Sequence, residues 1–225
     1  MTYPGTTPAS DCLPTYIVLD TSGSMNPHVA SLNKTLEVVV DSVADSPRVA
    51  EFAHISIISF NTRAHLILPL TDVQGLTSIP EVGCGGETNY GEAFRMVKER
   101  INVDVPELRH QGRTVLRPTV FMLTDGGPTD DDWQESFAEL VDDSWSRRPH
   151  VVTFGFGDAN AGVLSQISTK MAFLAKDAYA GNTAITNFLG ELLRTLIKSS
   201  STGNVELPTE VEGFKTVSLP REYME

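Results

Sequence analysis

Short runs of consecutive apolar residues, set apart by polar turn residues, constrain this chain more than any other feature. Tyr16-Ile17-Val18-Leu19, Ile55-Ser56-Ile57-Ile58-Ser59-Phe60, Thr119-Val120-Phe121-Met122-Leu123 and Val151-Val152-Thr153-Phe154 read as strands covered on both faces, because a strand with one wet face would alternate apolar and polar residues. Met171-Ala172-Phe173-Leu174 reads as a shorter strand. Helical patterns lie between these runs. Asn26-Pro27 is a cap followed by proline at the first helical position, and Val29, Leu32, Leu36, Val39 and Val43 then recur at spacings of three and four. A second helix is expected from about Asn89 to Ile101, with Ala93, Phe94 and Val97 inward. A third carries Trp133, Phe137, Leu140 and Val141, and a last one carries Ile185, Phe188, Leu189, Leu192, Leu196 and Ile197. Leu66-Ile67-Leu68 follows Phe60 too closely for a crossover helix, so it should pair antiparallel. The alternation predicts an α/β fold, an open, mostly parallel sheet with helices on both faces.

In such a sheet the binding crevice lies just outside the carboxyl ends of the strands. Three segments place small oxygen ligands there: Asp20-Thr21-Ser22-Gly23-Ser24 after the first strand, Gly85-Gly86-Glu87-Thr88 leading into a helix, and Thr124-Asp125-Gly126 after a central strand. If they converge, they unite two carboxylates (Asp20, Asp125) and three hydroxyls (Ser22, Ser24, Thr88). Hard oxygens of this kind suit Mg²⁺, Ca²⁺ or Mn²⁺ and argue against a thiolate or imidazole zinc site. Two acids neutralise a dication weakly, which favours an Asp or Glu carboxylate from a partner as a further ligand. Each residue taken singly also reads as an ordinary turn or capping residue, Thr88 most of all, as a helix N-cap.

Composition narrows the partners. The chain has 225 residues, 40% of them apolar, which suits one mid-sized domain or two very small ones, with a sizeable core. Seventeen Lys and Arg stand against 29 Asp and Glu, a net charge of −12. Such a surface repels phosphate backbones, so nucleic acid is not an expected partner, and anionic membrane surfaces are disfavoured for the same reason. Met1-Thr2-Tyr3-Pro4-Gly5 offers neither a basic start nor an apolar stretch before Asp11, so no signal or transit peptide is expected, and no apolar run has bilayer-crossing length. Cys12 and Cys84 make no CxxC pair and read as free thiols in a reducing compartment. The acids from Asp125 to Asp143 (with Asp130, Asp131, Asp132, Glu135, Glu139 and Asp142) read as a dipole-complementing helix start followed by a solvated face. A second cation site or a docking patch for a basic partner is the alternative. His28, His54, His65, His110 and His150 are scattered without metal or triad spacing, although His28 could lie near the Asp20 loop. Trp133 and Trp145 read as packing residues.

The set Asp20-x-Ser22-x-Ser24, Thr88 and Asp125 resembles the metal-ion-dependent adhesion site (MIDAS) of von Willebrand factor type A (VWA) domains, as in integrin inserted domains. The resemblance covers residues 14–200, leaving an N-terminal segment, 1–13, and a C-terminal tail, 201–225. Tyr16-Ile17-Val18-Leu19-Asp20-Thr21-Ser22-Gly23-Ser24-Met25 and Leu123-Thr124-Asp125-Gly126-Gly127-Pro128-Thr129-Asp130 look most like bacterial TerY-like tellurium-resistance proteins. The resemblance implies a Rossmann-like VWA fold, doubly wound with a mostly parallel sheet and one short antiparallel edge strand, a divalent metal (usually Mg²⁺) at the top of the sheet, and protein recognition in which a partner carboxylate completes the coordination. It also implies a cytoplasmic stress-response role beside kinase-like and phosphatase-like neighbours. Glu87 is an extra acid beside Thr88, open as to whether it faces metal or solvent.

A non-enzymatic binding module is the expected function. The competing readings are a Mg²⁺-dependent phosphoryl-transfer enzyme using Asp20 and a scaffold with a purely structural metal. A nucleotide hydrolase or serine hydrolase is poorly supported, because the chain holds neither a P-loop GxxxxGK[ST] nor a GxSxG elbow. The tail holds Gly203, Pro208, Gly213 and Pro220 without a sustained period and reads as docked or loose. Its Glu222 or Glu225 could reach the site of a neighbouring copy.

Overall fold

The computed structural model describes residues 11–72, 74, 78–176 and 181–220. Glu222 and Glu225, like Met1 to Gly5, lie outside the described residues. The chain runs β1 (Asp11–Asp20), a 3-10 helix (Gly23–His28), α1 (Val29–Ala44), α2 (Pro47–Phe52), β2 (Ala53–Phe60), β3 (Ala64–Asp72), α3 (Tyr90–His110), β4 (Thr114–Val115), β5 (Thr119–Thr124), α4 (Trp133–Val141), β6 (His150–Gly155), α5 (Ala161–Gln166), β7 (Met171–Ala175), α6 (Asn182–Thr202) and β8 (Phe214–Val217).

The sheet order is β3-β2-β1-β5-β6-β7-β8, with β4 beside the start of β1. β1 pairs parallel with both β2 and β5, Ile17 lying opposite Ile57 on one side and Phe121 on the other. The winding therefore reverses between β1 and β5, and Asp20 and Asp125 stand at the carboxyl ends flanking that switch point, where such sheets open a crevice. Alternate strand residues feed two cores. Ile17, Leu19, Phe121, Leu123 and Phe154 pack with α1 and α6, while Tyr16, Val18, Val120 and Met122 pack with α3, α4 and α5.

The doubly wound, mostly parallel α/β sheet is the predicted one, but its antiparallel share is larger. β3 is nine residues long and antiparallel to β2. The tail adds a second antiparallel edge, with β8 on β7 and Phe214 opposite Ala175. Phe214 is drawn in because its ring meets Phe154 edge-on at 5.4 Å. Asn26 and Pro27 do not start an α-helix. They lie in the 3-10 turn that follows the Ser22 loop, and α1 begins only at Val29. α3 runs nine residues past Ile101, because Val105 and Leu108 continue its buried face and the inward Asp104 is held by Arg100 and by the Tyr16 hydroxyl at 3.0 Å.

Candidate functional site

Asp20 is the last residue of β1 and is fully buried. Its Oδ1 accepts from the Ser22 backbone N–H at 2.9 Å, which curls the chain back at once and turns Ser22 and Ser24 toward the crevice. Ser22 Oγ and Ser24 Oγ lie 3.1 Å apart, and Ser24 Oγ donates to Asp125 Oδ1 at 2.8 Å across 101 residues of sequence. One continuous chain of hydrogen bonds therefore links four of the five predicted site residues.

Thr88, the fifth, lies on the adjoining loop. That loop is stitched to the first by Gly85 N–H to Thr21 O at 2.9 Å and Gly23 N–H to Gly86 O at 3.1 Å. It is stitched to the third by Thr88 N–H to Thr129 Oγ1 at 3.2 Å and Thr129 N–H to Thr88 O at 2.9 Å. Among the described residues no hydrogen bond joins the Thr88 side chain to the other four. Gly86 is required where it stands: its φ is +77°, and a Cβ there would come 2.6 Å from Thr62 Oγ1. Glu87 is exposed, with its backbone N–H on Thr62 Oγ1.

Burial pushes the Asp20 carboxyl up to about 6, the nearby Asp125 charge adds to the rise, and hydrogen bonds from Thr124 and Ser22 oppose it. Burial raises Asp125 too, with the Ser24 hydroxyl and the His28 charge opposing. Neither carboxylate is ion-paired to Lys or Arg among the described residues. Two desolvated acids beside each other, surrounded by hydroxyls, are the electrostatic complement of a hard divalent cation. Among the described residues no group of three or more His, Cys, Asp or Glu is placed to hold a metal, and the oxygens beside the two acids here are hydroxyls.

Three participants were not singled out as site residues from the sequence. Thr124 Oγ1 donates to Asp20 Oδ2 at 2.6 Å and accepts from the Tyr90 hydroxyl at 3.1 Å, so it orients the first carboxylate. Asp130 caps the start of α3, accepting from Tyr90 N–H at 2.8 Å and Gly91 N–H at 2.9 Å. The signal for Thr124 was its place at the end of an apolar run, directly before Asp125. His28 does lie near the site, with its Nδ1 2.9 Å from Asn182 Oδ1 and its ring edge-on to Phe156.

Three of the eight acids in the 125–143 segment engage α3. Asp132 pairs with Arg95 at 2.7 Å and Glu139 with Lys98 at 3.0 Å, beside the capping Asp130. His54 is buried at the opposite end of the sheet, with Nδ1 3.1 Å from Cys12 Sγ, and both cysteines are free thiols. Trp133 packs edge-on against Tyr90, and Lys98 Nζ lies 5.9 Å above the Trp145 ring.

The model of the von Willebrand factor type A domain matches residues 16–191. No curated protein matches the chain. Among solved structures, von Willebrand factor type A from Catenulispora acidiphila is 15% identical with a TM-score of 0.63, over 84% of this chain and 43% of that one. Proximal thread matrix protein 1 from the mussel byssus, with a zinc-occupied MIDAS motif, is 18% identical with a TM-score of 0.57, over 84% and 49%. The pilus adhesin SpaC from Lactobacillus rhamnosus GG is 14% identical with a TM-score of 0.64, over 85% and 31%. These likenesses concern the fold, and the chain spans less than half of each of these solved chains.

Proposed function

The chain belongs to the von Willebrand factor type A domain family, and on that premise we propose that it is a metal-dependent protein-binding module rather than an enzyme. Asp20, Ser22, Ser24, Thr88 and Asp125 are the residues that would hold the divalent cation. The ion supplies a Lewis-acidic centre to which a partner's Asp or Glu carboxylate can bind. The observation that carries this reading is the 2.8 Å bond from Ser24 to Asp125, which closes two sequence-distant loops around a pair of desolvated acids.

Mg²⁺ is the preferred ion, with Mn²⁺ or Ca²⁺ as alternatives, because the donors are all hard oxygens. The zinc in the mussel protein's MIDAS motif supports a divalent ion as such. A TerY-like, cytoplasmic place in a tellurium-resistance or stress-response assembly, with kinase-like or phosphatase-like partners, is the finer form of the proposal. It is supported by the stretches Tyr16–Met25 and Leu123–Asp130 alone. No helix among the described residues is long and apolar enough to cross a membrane.

Phosphoryl transfer through Asp20 is poorly supported. The residue two positions after Asp20 is Ser22, so no second carboxylate stands there to serve as general acid for a phosphoryl-aspartate step.

The test is thermal unfolding with Mg²⁺ and with chelator. Metal at a hundredfold over its dissociation constant should stabilise the wild type by about 2.7 kcal/mol and leave Asp20→Ala unmoved. Ser24→Ala should also lose metal-dependent partner capture. Capture that survives both chelator and Ser24→Ala would make the metal purely structural, and a melt indifferent to Mg²⁺ would remove the site.

A further inference from the structure

The opposite edge of the sheet carries a feature that the acidic composition makes unexpected. β5, β6 and β7 are parallel, so their first residues share one edge, remote from Asp20 and Asp125. A six-residue strand such as β5 places that edge about 20 Å away, at ~3.3 Å per residue. There Arg117, Arg148, His150, Thr169 and Lys170 line one pocket of about 80 Å³.

Three permanent cations and an imidazole thus meet in a chain of net charge −12. Among the described residues one carboxylate is ion-paired here, Asp143, 3.2 Å from Arg148 Nε, and it is 96% exposed, so it offsets little of the cluster's charge. The repulsion is felt by the groups themselves. Burial first, and then the charges of Arg117, Lys170 and Arg148, push His150 down to about 4. Burial and Arg148 lower Arg117 as well.

The donors are fixed in place. Arg117 Nε is anchored on Arg148 O at 2.9 Å, and Arg148 is held by Asp143 O at 2.9 Å. Thr169 Oγ1 accepts from Val151 N–H at 2.8 Å, which leaves its own proton to donate. We propose that this pocket binds a phosphate group, free or carried as a monoester. Guanidinium forks match a tetrahedral oxyanion better than a spherical halide. The volume, about 80 Å³, admits a phosphate group, with the rest of any monoester lying outside the pocket.

The test is a titration of isotopically labelled protein, in chelator so that the Asp20 edge holds no metal, at pH 7.5 and constant ionic strength. Inorganic phosphate should shift the Thr169 and Lys170 amides and the His150 ring saturably, and chloride should not. Lys170→Met, whose side chain makes no hydrogen bond or ion pair among the described residues, should weaken the effect about tenfold without unfolding the protein. Arg117→Lys, keeping the charge and losing the fork, should weaken it less. O-phosphoserine binding more tightly than phosphate would mark a phosphorylated side chain as the natural source, and the reverse order would mark the free ion. Shifts absent with both, equal with chloride, or unchanged in Lys170→Met would overturn the proposal.

Discussion

The hydroxyl of Thr124 shows how much a single position can decide. From sequence it ends an apolar run, yet it donates to Asp20 and receives from Tyr90. The oxygen-bearing side chains of Asp20, Ser22, Ser24 and Asp125 are legible in the chain because each lies at a strand's end or within a few residues of it. The group that orients Asp20 is not, because Thr124 and Asp20 meet only across adjacent strands. His150 is likewise unremarkable in sequence and acquires its character from neighbours contributed by other segments. Its folded pKa lies near 4, below the ordinary histidine value of 6.5. Well above pH 6.5 it is neutral in both folded and unfolded states. As pH falls toward 4 the unfolded chain takes the proton first, so stability is lost across that window. Relative to His150→Gln, the wild type should therefore weaken progressively from pH 6.5 to pH 4 in urea unfolding. Parallel curves for the two proteins would contradict the assignment.

Among elements, α3 links the site to the rest of the molecule. Its first free N–H groups are met by Asp130, from the third loop, and by Asn89 Oδ1, which accepts from Glu92 N–H at 2.9 Å. Asp130→Ala should cost about 1–3 kcal/mol in denaturant unfolding, since it removes two charge-assisted bonds at the positive end of a helix dipole. It should also weaken Mg²⁺ binding, because Thr129 beside it holds the Thr88 backbone. A cost within about 0.5 kcal/mol, typical of a neutral surface change, would show that the cap is dispensable. The long helices were visible through their apolar spacing. α2 and α5 were not, since six residues show too little of a period. Only their caps left a trace, Ser46-Pro47 for one and Asn160 for the other, whose side chain accepts from Gly162 N–H at 2.7 Å.

At the scale of the whole molecule, the core extends from Leu13 in β1 to Phe214 in β8, so the described end of the chain is structural. Phe214 is 5% exposed, and Phe214→Ala should destabilise the fold by about 3–5 kcal/mol in chemical denaturation. An unchanged midpoint would return residues beyond 201 to the status of a loose tail. The two edges of the sheet carry opposite chemistry: buried acids where the parallel strands end, and a basic pocket where they begin. The sequence alone determined the strands buried on both faces, the long helices, and the small oxygen-bearing residues at the strand ends. Burial period and turn chemistry act between residues a few positions apart, so a linear reading contains them. Tertiary structure decided that β1 lies between β2 and β5, that Ser24 reaches Asp125, that β8 closes the β7 edge, and that Arg117, Arg148 and Lys170 face one another. Each of these depends on which distant surfaces bury one another best, a choice made by the complete core and by no local stretch of chain.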